Sequence, residues 1–96
     1  MATLAIAVTN EDIQHGYRND PCLCPVALAA IREILSSREI VALSVHTSEL
    51  YCWQVSNGKL MPEFHIKLPE EVGNRIATYD RTGRMEPFSF EIEVPD

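Results

Sequence analysis

The segment from Val26 to Leu35 is apolar almost all the way round a helical wheel, broken only by Arg32 and Glu33. A helix of that kind has no broad polar face to leave in water, so other elements must cover it on nearly every side. Pro25 stands just before it and Pro21 four residues earlier, and both are candidate first-turn prolines, because a fixed φ and a missing N–H cost nothing there. The rest of the chain has to supply the cover.

It does so mainly with strands. Leu4, Ile6 and Val8 alternate with Ala5, Ala7 and Thr9, as a strand with one large and one small face would. Thr9 or Asn10 can cap a short helical turn through Glu11, Asp12 and Ile13 that Gly16 ends. After an exit at Ser36, Ser37 and Arg38, residues 40–46 and 50–56 read as a hairpin around Thr47 and Ser48. Asn57-Gly58 is the strongest short-range turn signal, since a type I′ turn needs positive φ at both central positions. It sends the chain back as a third strand, which Pro62 interrupts or confines to an edge. Phe64, Ile66 and Leu68 then alternate with His65 and Lys67.

Pro69-Glu70-Glu71 opens a second long helix, with acids at its positive end and Val72, Ile76 and Tyr79 as the buried stripe. Gly83 stops it. Phe88, Phe90, Ile92 and Val94 alternate with Ser89, Glu91 and Glu93 in the cleanest half-buried strand of the chain. The order β-α-β-β-β-α-β predicts one α+β domain over residues 1–96, a mainly antiparallel sheet with two helices on one face. The first and last strands are expected to pair.

Composition narrows function by exclusion. A formal charge of −6 from 14 acids and 8 bases argues against direct nucleic-acid binding, which needs a basic face. It permits an acidic surface that competes for a partner's nucleic-acid groove, although solubility alone is served by the same charge. No apolar run reaches the roughly 18 residues of a membrane span. The opening MATLAIAVT does not read as a signal peptide. Three cysteines make no disulfide framework, so a reducing, cytoplasmic setting is expected.

Candidate chemistry is sparse. Cys24 falls where a helix N-terminus lowers a thiol pKa, and His15, His46 or His65 could act as its base, but no local motif ties them together, and the favoured reading is a small buried residue packed beside Pro25 at the helix entry. Cys22-x-Cys24 is too tight for the usual zinc loop, and no cofactor or metal is expected. Arg18 and Asp20, with Cys24 and the open amides of the Pro25 helix, form a candidate ligand site for a small anion. The competing role for Arg18 is to pair with Asp20 or Glu11 and pin the loop. Tyr51 and Trp53 alternate on one strand. They are core if a helix covers them, and partner anchors if the hairpin projects. With Glu49, Glu91 and Glu93 they make the candidate protein-binding set.

The stretch Glu11-Asp12-Ile13, Gly16, Arg18 and Cys24-Pro25-Val26-Ala27-Leu28-Ala29 resembles the opening of a family of small, mostly uncharacterised phage and prophage proteins. Leu68-Pro69, Tyr79-Asp80, Gly83 and Pro87-Phe88-Ser89-Phe90 resemble that family's closing pattern, while Cys22 is an addition to it. The resemblance implies a mobile-element context, the cytoplasm of an infected or lysogenic bacterium, and no general activity. The expectation is a non-enzymatic binding protein, an anti-CRISPR-like inhibitor of a host defence component that acts on a host protein, with room for a homodimer. The alternative is a nucleotide-signal sponge built on Arg18.

Overall fold

The computed structural model describes residues 2–35 and 40–94. Strand β1 (Ala2–Val8) leads into helices α1 (Asn10–His15) and α2 (Pro25–Leu35). Strands β2 (Ile40–Val45), β3 (Glu49–Ser56), β4 (Lys59–Leu60) and β5 (Phe64–Lys67) follow, then α3 (Glu70–Thr82) and β6 (Phe88–Val94). The fold is α+β with antiparallel ladders. The exit expected at Ser36, Ser37 and Arg38 lies outside the described residues.

The first and last strands do pair, Leu4 opposite Ile92 and Ile6 opposite Phe90. The remaining strands form a second sheet, with β3 flanked by β2 on one side and by β4 and β5 on the other. β5 and β6 lie near each other, so the two sheets run on side by side. Asn57 and Gly58 hold φ of 53° and 75°, the pair of positive angles a type I′ turn requires. The third strand splits into β4 and β5 around Met61, Pro62 and Glu63, because Pro62 has no N–H to give a ladder.

Among the described residues there are three helices rather than two. α1 is a full short helix because Thr9 and Asp12 close a capping box on it, each side chain bonding the other's backbone N–H. Gly16 follows at φ −77°, so positive φ is not its reason for being glycine. A Cβ there would come within 2.6 Å of the Pro25 ring. Of the two candidate prolines, Pro25 is the one that opens α2. α3 ends at Gly83, whose φ of 74° lets its N–H reach the Tyr79 carbonyl at 2.7 Å.

One core unites these pieces. Ile6, Phe90 and Ile92 from the first ladder meet Leu43, Leu50 and Ile66 from the second sheet, with Val26, Ala30 and Ile34 of α2 and Val72 and Ile76 of α3 closing it. Ile34, Leu50 and Ile66 are almost wholly buried, and truncating any of them to alanine would cost about 2–5 kcal/mol. Gly73 brings α3 hard against the β2–β3 turn, where a Cβ would collide with the Thr47 carbonyl.

Candidate protein-binding face

The loop before α2 is spent on structure. Arg18 pairs with neither Asp20 nor Glu11, the two partners the local sequence offers. Its Nε and Nη2 donate to the Asp80 carbonyl at 3.3 and 3.1 Å, and Nη2 donates to the Arg81 carbonyl at 2.7 Å. A cation therefore sits on the negative end of α3, where the last carbonyls lack helical donors. Asp20 Oδ1 accepts the Cys22 and Leu23 amides at 2.9 and 3.1 Å, shaping the turn into α2. Cys24 is the last residue before that helix: its carbonyl accepts from Leu28 N–H at 3.0 Å and its Sγ from Ala27 N–H at 3.4 Å.

These bonds change two expectations. The helix start is capped by a buried thiol instead of offering open amides, and Arg18 stands at another helix's far end, so the expected anion cradle is not assembled. Burial pushes the Cys24 thiol up from its ordinary pKa, the Ala27 and Val26 amides pull it down less strongly, and Asp80 and Asp20 add to the rise. That is the reverse of an activated cysteine. Cys24 and His46 do line one cavity of about 350 Å³ with Asp20 and Asp80. Among the described residues, no group of three or more His, Cys, Asp or Glu is arranged to hold a metal.

The strongest polar network was not legible as a site. Arg32, which in the sequence only breaks an apolar run, grips Asp12 with Nη1–Oδ1 at 2.7 Å and Nη2–Oδ2 at 3.1 Å, and also donates to the Ala7 carbonyl at 2.8 Å. Burial raises the Asp12 pKa, but Arg32 and the Thr9 amide and hydroxyl outweigh it, so the carboxyl lies below its ordinary value. Twenty residues separate the partners, and only the packing of α1 on α2 joins them.

On the second sheet the ladders fix what alternation left open. Leu50 and Cys52 turn inward and are buried, so Tyr51, Trp53 and Val55 take the outer face, where they are half-buried. Val55 stands opposite Leu60, which extends this stripe onto the hairpin arm. Every residue from Asn57 to Glu63 is exposed, Leu60 by 67% and Met61 by 42%. Toward the other end Tyr51 is stacked on His65 at 4.1 Å between centroids and touches His46 at 4.6 Å. Ser44 Oγ lies 3.2 Å from His46 Nε2, and His65 sits between Glu49 at 3.7 Å and Glu63 at 3.3 Å. An aromatic and aliphatic stripe, closed by two acids and two histidines, thus lies on the face turned from the core.

Glu49, Tyr51 and Trp53 share the outer face of β3, while Glu91 and Glu93 are not with them. Those two project from the outer face of the β1·β6 ladder, beside Ala5 and Thr3. His46, His65 and Glu63 join the set instead. A signal for them existed in the parity of the strands, since Tyr51 faces both Ser44 and His65 across the ladder. No helix among the described residues is long and apolar enough to cross a membrane. No family model matches the chain, no curated protein matches it, and no solved structure matches its fold.

Proposed function

We propose that this chain is a non-enzymatic binding protein of phage origin, an anti-CRISPR-like inhibitor that engages a host defence protein through the outer face of β3 and its hairpin arm. The observation that carries the reading is the continuous stripe Tyr51, Trp53, Val55 and Leu60, with Met61 beside it, on the face of β3 turned away from the buried Leu50 and Cys52. Half-buried aromatics next to exposed aliphatics are what partner anchors look like before the partner arrives. Glu49 and Glu63 at the rim suit a basic surface on that partner, and steer encounter more than they add affinity. The phage setting rests on the resemblance of the Glu11–Ala29 and Leu68–Phe90 patterns.

Plaque formation tests it. In a bacterium whose CRISPR–Cas system targets the plated phage, the wild-type chain restores plaques, and the double variant Leu60→Ser, Met61→Ser does not. Both residues are exposed, so the variant's stability stays within about 0.5 kcal/mol of the wild type. Wild-type protein that leaves plaque counts unchanged overturns the target class. A double variant as active as the wild type overturns the face.

A further inference from the structure

The two outer edges of the sheets are finished differently. At β2 the ladder register shifts between Ile40 and Ala42, and the Val45 N–H is taken by the Pro21 carbonyl at 2.7 Å. A bulge and a covering loop are ordinary ways to keep an edge strand from recruiting another. β1 has neither. It is seven residues long, Ala2–Val8, without charge, proline or register break. Among the described residues its ladder is with β6 alone.

Parity shows which groups the β1 edge leaves open. The Ala7 carbonyl accepts from Arg32, so it points away from β6. In an extended strand residues two apart direct their backbone groups to the same side. Thr3 and Ala5 therefore also turn N–H and C=O outward, and among the described residues nothing bonds to them there. Arg32 blocks the position at Ala7. The usable edge is Thr3 to Ala5.

We infer that β1 is a self-association edge: two copies of this chain pair β1 with β1 antiparallel about Leu4, Thr3 of each opposite Ala5 of the other. Each such pair exchanges both N–H···O bonds, giving four across the twofold axis. The register is self-complementary, and a shift toward Ala7 would meet the Arg32 guanidinium. Leu4, half-buried in one copy, meets Leu4 of the other on the inner face. On the outer face only Thr3 and Ala5 meet, so no like charges face each other. Glu91 and Glu93 lie one strand further out on each side, about 14 Å across the joined sheet from their counterparts, beyond a Debye length. A second copy suits this edge better than a charged peptide, because the edge offers no charge for one to recognise.

Sedimentation velocity of the full chain from about 1 to 100 µM reads the outcome directly. A dimer that dissociates on dilution is expected, and a monomer throughout overturns the proposal, including the case where the edge serves another protein's strand. Ala5→Pro removes an outward N–H that β6 does not use, and should weaken the dimer about tenfold or more. Cross-linking fixes the register. With the exposed Cys22 changed to Ser, Leu4→Cys should oxidise to a disulfide-linked dimer, since facing residues of such a pair sit within disulfide reach. Ala7→Cys should not. Equal cross-linking at both positions overturns the register, and a dimer untouched by Ala5→Pro overturns the edge.

Discussion

Two clusters in this molecule pair acids with nitrogen-bearing side chains, and burial gives them opposite characters. At the α1–α2 corner Asp12 is 5% exposed, and its carboxylate accepts from Arg32, the Thr9 amide and the Thr9 hydroxyl. On the outer sheet face His65 and its acids are each more than 40% exposed. The first cluster ties three elements together, and loss of Arg32 would leave the buried Asp12 carboxylate stranded. The second can exchange its contacts with water or a partner at little cost, because water competes for each of them already. The difference separates what holds the fold from what the fold presents.

The sharpest way to break that contrast is at Asp12. Replacing it with alanine leaves the Thr9 N–H without its acceptor and Arg32 without its fork, and should cost about 2 kcal/mol in a denaturant melt. Arg32 remains nearly half exposed and can turn to water, which keeps the loss below that of a fully buried pair. The pH dependence has a definite sign. The folded carboxyl titrates below its unfolded value, so its contribution is complete above about pH 4 and falls away as pH drops through the folded pKa. Melts of wild type and Asp12→Asn between about pH 6 and pH 2 should therefore converge toward acid. A gap between them that stays constant would show that the pair adds no pH-linked stability.

Arg18 provides the middle case. It is exposed, yet it bridges the 16–24 loop to the end of α3, and Arg18→Met should cost about 1 kcal/mol. Unchanged melting would mean that the α3 carbonyls are satisfied equally well by water.

Arg18 also shows where the sequence stopped being readable. Its partners lie 62 and 63 residues away, whereas Asp20 and Glu11 are close in the chain and were the natural choices on local grounds. The strands of period two were legible because their signal is local: β6 alternates buried and exposed as Phe88 to Val94 implied, and Asn57-Gly58 carried its turn unaided. Period did not give phase in β3. Leu50 and Cys52 on one side and Tyr51, Trp53 and Val55 on the other are both apolar, so alternation left the inner face undecided until β2 and β5 were paired with it. Likewise Arg32 in an apolar run looked like a helix's solvent side, and only α1 folding back made it a ligand for Asp12. Cys24 was correctly placed at a helix start. Its burial at the helix entry holds as well, and that burial outweighs the pull of the helix amides on the thiol, which position alone did not show.

Tyr51→Ala probes the presenting side. The ring loses a stacked contact with His65 and a tilted one with His46, but Leu50 and Cys52 still fill the core behind it, so a loss of about 1 kcal/mol is expected. A loss as large as that of Asp12→Ala would place Tyr51 among the fold's supports and move the proposed binding stripe outward to Trp53 and the arm.

The smallest effect belongs to His65→Gln. Glutamine keeps a polar side chain between Glu49 and Glu63 and gives up only the ring stacked on Tyr51, so stability should change by no more than about 0.5 kcal/mol. Partner binding is where it should register. Removing the ring frees one face of Tyr51, and the acids keep their charge, so association rate should hold while dissociation changes. A binding-competent surface and a structural one part at this residue: the first responds in affinity without responding in melting. If His65→Gln lowers the melting temperature as Asp12→Ala does, the His46–Tyr51–His65 stack belongs to the fold, and the proposed recognition surface reduces to the arm beyond Trp53.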